Sequence, residues 1–174
     1  MTSTLLHYTI SRVPTTQERL VTQTEFSGLI ANITATIAGR SLDQTLEDDL
    51  NRRYPANGDA FRCMTDACRD AIAAGWMCNR EAGGIRYGRV IKPGAATHGF
   101  SVDVVDMDCV GPRHVHPNGE IDLVMPLDAT AQFDGRGAGW KVYGPGSAHS
   151  PTVTGGRAWV LYLLPEGAIE FTRT

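Results

Sequence analysis

The chain has 174 residues, of which 42% are hydrophobic and 20% charged, with a formal net charge of -3. That is the size of one domain with one core, and the composition of a soluble globular protein. The slight acidity excludes recruitment of nucleic acid by bulk charge, and no segment approaches the roughly 20 apolar residues of a membrane span.

The four cysteines, Cys63, Cys68, Cys78 and Cys109, form no CxxC pair and no dense disulfide spacing, so free thiols in a reducing compartment are expected. Residues 1–16 carry neither a basic n-region nor a long apolar h-region, and read as a loose arm rather than a secretory leader. The expectation is a cytoplasmic protein with no nucleic-acid and no membrane partner.

Over residues 17–37 the apolar positions Leu20, Phe26, Leu29, Ile30, Ile33 and Ile37 recur at three-and-four spacing along one helical face, and Gly39 supplies the stop. Ser41 and Gln44 fit a capping box for a second helix carrying Leu42, Leu46 and Leu50, which ends at Tyr54 and Pro55. Asp59 is placed to cap a third, with Phe61, Met64, Cys68 and Ile72 as its buried stripe and Gly75 closing it.

After Trp76 the pattern changes to short runs between turn residues, predicting strands over 85–91, 99–105, 120–126, 130–133, 140–143 and 157–164. The fold class is therefore mainly β with a helical N-terminal segment: about three helices over 1–75, packing on an antiparallel barrel or jelly roll over 76–174, together one structural domain. Exposed edge strands and the added helices lead us to expect a homodimer.

The most informative stretch is His114-Val115-His116-Pro117-Asn118-Gly119-Glu120. Histidines at i and i+2 of a strand point to one face and are able to share one ion. Glu120, after a short turn, returns an oxygen to the same place, and His149, in Gly144-Pro145-Gly146-Ser147-Ala148-His149, offers a fourth ligand.

This HxHxxxE followed by GxxH resembles the two signature motifs of the cupin superfamily, which implies a small barrel with a divalent ion held by His114, His116, Glu120 and His149. Imidazole and carboxylate without thiolate suit Fe, Mn, Zn or Ni and argue against calcium and magnesium. Four protein ligands leave one or two positions for water or substrate, which points to catalysis. Glu120 reads equally as a ligand or as a base beside a three-histidine metal.

On the substrate side, Arg80, Arg86, Arg89 and Lys92 cluster in sequence. If 85–91 is a strand, Arg86, Gly88 and Val90 face one way and Ile85, Tyr87, Arg89 and Ile91 the other. An inward arginine would clamp a carboxylate, and the alternative is a solvated basic face. Asp122 shares the face of Glu120, which makes a proton-transfer role possible, while His98 and Tyr143 are candidates for the barrel mouth.

Beyond the cupin pattern, Cys78-Asn79-Arg80-Glu81-Ala82-Gly83-Gly84-Ile85-Arg86, His98-Gly99-Phe100-Ser101-Val102-Asp103, His116-Pro117-Asn118-Gly119-Glu120-Ile121-Asp122 and Phe133-Asp134-Gly135-Arg136-Gly137 resemble a bacterial family of 4-hydroxylaminobenzoate lyases. Leu161-Tyr162-Leu163-Leu164-Pro165-Glu166-Gly167 and Gly39-Arg40-Ser41-Leu42 fit it too.

The resemblance implies an enzyme of 4-nitrobenzoate breakdown, converting 4-hydroxylaminobenzoate to 3,4-dihydroxybenzoate (protocatechuate) and ammonia. It implies catalytic roles for Glu120 and Asp122, and a substrate site for a small aromatic acid drawn from Arg80, Arg86, Tyr87, His98 and Tyr143. Arg86 would hold the carboxylate, and Tyr87, Phe100, Trp140 or Tyr143 would wall the ring. A non-heme iron dioxygenase of an aromatic acid and a non-catalytic small-acid-binding cupin fit the same ligands.

Overall fold

The computed structural model describes residues 21–172. Residues 1–16 and the start of the expected first helix, including Gln17 and Leu20, lie outside the described residues. Three helices lead: α1 (Gln23–Ile37), α2 (Gln44–Arg53) and α3 (Asp59–Ala73).

Thr22 caps α1 in a capping box with Glu25, and Gly39, with φ of 70°, allows the left-handed exit. The expected Ser41–Gln44 box does not form. The cap of α2 is Asp43, whose carboxylate accepts from the amide of Leu46 at 3.0 Å, so the helix starts two residues later than the Ser41 reading required. Asp59 does not cap α3 either. Gly58 holds the cap position without a side-chain bond, and the Asp59 carboxylate turns to Arg62 in the first turn. Gly75 closes α3 as expected, with φ of 79°.

The strands are β1 (Arg80–Ala82), β2 (Ile85–Ile91), β3 (Phe100–Met107), β4 (His114–His116), β5 (Glu120–Pro126), β6 (Gln132–Phe133), β7 (Gly139–Tyr143), β8 (Ser147–His149), β9 (Val153–Thr154), β10 (Ala158–Pro165) and β11 (Glu170–Phe171). A large sheet runs β1-β2-β3-β10-β5-β7, a small one β11-β4-β8, and β6 and β9 form a ribbon. Every named pair is antiparallel. Three helices followed by this antiparallel barrel is the expected fold class. The strands that periodicity did not reveal, β1, β8, β9 and β11, are two or three residues long, too short to show alternation.

The large sheet has two apolar faces. Val102, Val104, Ile121, Leu123, Leu161 and Leu163 face the helices, where they pack with Phe26, Ile30, Ile37, Leu46, Leu50 and Met64. Each such fully buried side chain is worth about 1.5–3 kcal/mol against exposure. The alternate residues Met107, Val124, Val160, Tyr162 and Leu164 point into the barrel and meet Phe133 and Val153 of the ribbon.

The outer edge of β7 is not left free. Asn51 on α2 donates to the carbonyl of Trp140 at 2.9 Å and accepts from its amide at 2.9 Å, while the amide of Val142 donates to Glu47 at 2.9 Å. The helix thus satisfies backbone groups that would otherwise template further pairing. Gly139 makes this approach possible, since a Cβ there would lie 2.6 Å from the Asn51 Oδ1. Replacing Asn51 with alanine strands both groups of the buried Trp140. We expect a loss of about 2–3 kcal/mol, read as a lower urea midpoint with unchanged slope; an unchanged midpoint would show that water replaces the clamp.

Candidate metal centre

The two sheets meet at four side chains. On β4, His114 and His116 share the inward face and are both buried. The adjacent β8 sets His149 opposite His114 and Ser147 opposite His116. From the large sheet, the first residue of β5 supplies Glu120, fully buried. The 117–119 turn that joins β4 to β5 is tight: the His116 carbonyl accepts from the amides of Gly119 at 3.1 Å and Gly146 at 2.8 Å. Gly119 has φ of 85°, and a Cβ there would lie 2.7 Å from both Leu42 Cδ2 and the Tyr143 carbonyl, so only glycine fits.

One ligand atom from each of His114, His116, Glu120 and His149 lies within 4.8 Å of all the others. His114 Nδ1 donates to the Pro112 carbonyl at 3.0 Å, and His149 Nδ1 donates to Asp134 Oδ2 at 2.7 Å. Both acceptors take a proton and offer none, so each imidazole, when neutral, turns its Nε2 lone pair inward. There His114 Nε2, His116 Nε2, His149 Nε2 and both Glu120 oxygens are buried without a hydrogen-bond partner. The Glu120 carboxylate touches His116 Nε2 and lies 3.5 Å from His149 Nε2. Converging, desolvated lone pairs are costly unless a cation takes them, and this donor set fits a divalent transition ion.

The protonation states of Glu120 and His114 agree with that fit, and His149 must give up a proton to join them. Burial pushes the Glu120 carboxyl up, but the His116 and His149 ring nitrogens that face it outweigh burial and hold it below the usual carboxylate range. Burial, helped by His116, lowers His114 to about 4. Burial also pulls His149 down, but the carboxylates of Asp134 and Glu120 win and raise it to about 9. Asp122, fully buried with both oxygens unpartnered, is pushed well above the usual carboxylate range by burial and by the charge of Glu120. It stands between Tyr162 and Lys141 in register.

A cavity of about 720 Å³ reaches His114. Its walls include Ile85, Tyr87, Met107, Tyr162 and Phe171, and its basic residues are Arg80, Arg89 and Lys92. Arg89 is occupied by Asp103 at 2.9 Å and by the Gly167 carbonyl at 3.1 Å.

Comparison with known proteins adds the following. The family described as PnbB, 4-hydroxylaminobenzoate lyase, matches residues 28–171. The 4-hydroxylaminobenzoate lyase of Pseudomonas putida is 32% identical, covering 84% of this chain and 94% of its own. That of Nocardioides sp. (strain LMS-CY) is 33% identical, covering 79% and 88%. The chain belongs to the 4-hydroxylaminobenzoate lyase family. Among solved structures, an RmlC-like cupin protein from Ralstonia eutropha JMP134 overlaps 53% of this chain and 62% of its own at 10% identity, with a TM-score of 0.41.

In this lyase family member the structure regroups the expected substrate residues. Arg80 and Tyr87 line the cavity. Arg86 does not. It lies on the opposite face of β2, 3.9 Å from Asp106, an acid already paired with Arg157. His98 sits at the helix contact, with Nδ1 3.1 Å from the Thr34 hydroxyl. Tyr143 lies near the cluster, its ring 4.7 Å from that of His149, but its hydroxyl donates to Asp134 at 2.7 Å and it is not a cavity wall. Phe100 and Trp140 pack toward the helices. Sequence reasoning passed over Asp134, which reads as an ordinary turn residue, and Phe171, whose ring lies 5.5 Å from His114.

At pH 7 His114 is neutral and Glu120 ionised, whereas His149 carries a proton that an ion must displace. Loading the lyase family member with zinc should therefore release about one proton at pH 7 and bind more tightly as pH rises toward 9. Calorimetry in buffers of different ionisation enthalpy counts the proton; zero release would remove the assignment of His149.

Proposed function

We propose that the protein converts 4-hydroxylaminobenzoate to 3,4-dihydroxybenzoate and ammonia, with one water consumed, and that it does so with a divalent ion at the His114, His116, Glu120 and His149 cluster. The observation that carries this reading is the single cavity that joins His114 to a basic rim through apolar walls, in a chain whose family acts on an aromatic hydroxylamine.

The residues divide the work along that cavity. Tyr87, Met107 and Phe171 offer apolar walls for the ring. The side chains of Arg80 and Lys92 make no hydrogen bond or ion pair among the described residues, and of the two Arg80 offers the planar fork that takes a carboxylate with two hydrogen bonds. This places the opposite end of a para-substituted ring toward His114. Asp122, neutral because it is buried beside Glu120, holds a proton for the nitrogen that leaves as ammonia. Glu120, ionised and shared between His116 and His149, is read as a ligand rather than a base. An ion of Fe, Mn, Zn or Ni there would act as a Lewis acid toward the N–O bond.

Incubating metal-loaded protein with 4-hydroxylaminobenzoate under anaerobic conditions should release ammonia, and stoichiometric removal of the metal should abolish it. Release that survives removal would refute the metal role, and turnover that requires oxygen would replace the lyase with a dioxygenase.

Arg80→Ala should raise KM for the carboxylated substrate on the order of tenfold, as a lost charged hydrogen bond predicts, while leaving the uncharged N-phenylhydroxylamine nearly unaffected. Equal losses for both compounds would dismiss the clamp.

A further inference from the structure

Asp134 follows β6 in a turn where its own φ is 45°, a conformation that Asp tolerates better than most residues. Its amide donates to the Thr152 carbonyl at 2.8 Å and its Oδ1 accepts from the Thr152 amide at 2.8 Å, so backbone on both sides locks the carboxylate plane. The other oxygen, Oδ2, accepts from His149 Nδ1 at 2.7 Å and from the Tyr143 hydroxyl at 2.7 Å. Tyr143 in turn stacks against the His149 ring at 52°. Asp134 touches no other member of the cluster and lies outside the cavity wall.

We propose that Asp134 is a positioning residue for the metal centre: it fixes the orientation and tautomer of His149, so that Nε2 meets His114, His116 and Glu120 as a lone pair rather than as an N–H. This inference rests on the metal reading above. No other acceptor contacts His149 Nδ1 among the described residues, and without one the ring is free to rotate or to carry its proton on Nε2, which would repel an ion.

The chemistry of Asp134→Asn tests this within nearly the same shape. The Thr152 amide cannot become an acceptor, so the Asn carbonyl stays on it and the NH2 faces Tyr143 and His149. The tyrosine hydroxyl is able to accept that hydrogen bond. The imidazole accepts it only by moving its proton to Nε2, into the cluster.

The experiment compares zinc affinity, by competition with a chromophoric chelator at pH 7, for the wild type, Asp134→Asn and Tyr143→Phe, along with the melting temperature of each metal-free protein. We expect Asp134→Asn to bind zinc about 10–100-fold more weakly while melting within a few degrees of the wild type, and Tyr143→Phe to bind within about threefold of it, since the Asp134 bond to His149 persists. A lower melting temperature for Asp134→Asn with unchanged zinc affinity would mean a purely structural role and would overturn the proposal.

Should Asp134→Asn fail to fold, the wild type suffices. In the zinc-loaded protein, long-range proton–nitrogen spectra should show His149 with Nδ1 protonated and Nε2 on the metal, and the reverse arrangement would overturn the proposal. A wild type that takes up no zinc, iron, manganese or nickel would defeat the metal reading and this inference together. Tight zinc in the wild type and equally tight zinc in a folded Asp134→Asn defeats only the inference.

Discussion

The interaction on which the structure turns is the convergence of three imidazole lone pairs and one carboxylate in the dry space between two sheets. Glu120 comes from the large sheet, and His114, His116 and His149 from the small one. Remove any compensating cation and the barrel must bury several polar atoms with nothing to bond. Supply one, and the same atoms clamp the sheets together, because binding free energy gained only by the folded arrangement is added to its stability. The site and the closure of the barrel are therefore one physical problem. The tight 117–119 turn, closed by a glycine that admits no side chain, solves it by letting a strand of one sheet pass directly into the other.

The helices contribute from behind. They line no part of the cavity, yet they bury much of the reverse face of the large sheet and finish the hydrogen bonding of its β7 edge through Asn51 and Glu47. Glu120, carried on a strand whose back is packed and in a sheet whose β7 edge is capped, has little freedom to move. That rigidity is what a preorganised centre requires. The edge capping also bears on association: α2 closes the β7 side, and β1, short and exposed, remains the open edge of the large sheet.

Much of this was legible because it is local. Helical spacing exposed Phe26, Ile30, Ile33 and Ile37, and the HxHxxxE spacing exposed three of the four candidate metal ligands, since strand alternation alone aligns His114 with His116. The cavity was not legible, because its walls gather from β1, β2, β3, β10 and β11. Alternation correctly split Arg86 from Tyr87 and Arg89, but β2 carries apolar residues on both faces, and only the position of the helices decides which face looks into the barrel. Spacing therefore leaves Arg86 and Arg89 equally open as the inward arginine, and in the structure Arg89 lines the cavity while Arg86 does not. Asp134 escaped notice for a different reason: its partners Tyr143, His149 and Thr152 lie 9 to 18 residues downstream, and an Asp-Gly pair already has a sufficient local explanation as a turn.

Charge accounting explains how the cavity tells its two ends apart. On the proposed metal reading, three neutral imidazoles and one carboxylate around a divalent ion would leave one net positive charge at the inner end. Asp122 is neutral there, and the Asp134 carboxylate, set behind His149, only partly offsets that charge. An aromatic carboxylate would be drawn to that charge as readily as to the rim if the rim were already satisfied. Arg89 is satisfied, by Asp103 and Gly167. Arg80 and Lys92 are not, and Arg80 stands on β1 directly opposite Tyr87, which lines the passage. A benzoate that meets the unpaired guanidinium at the rim keeps its carboxylate in partly solvated surroundings. Carrying it inward instead would strip that solvation against apolar walls before the ion repaid it. For the proposed substrate the passage would therefore favour entry with the neutral hydroxylamine leading, the orientation in which the N–O bond, rather than the carboxylate, reaches His114.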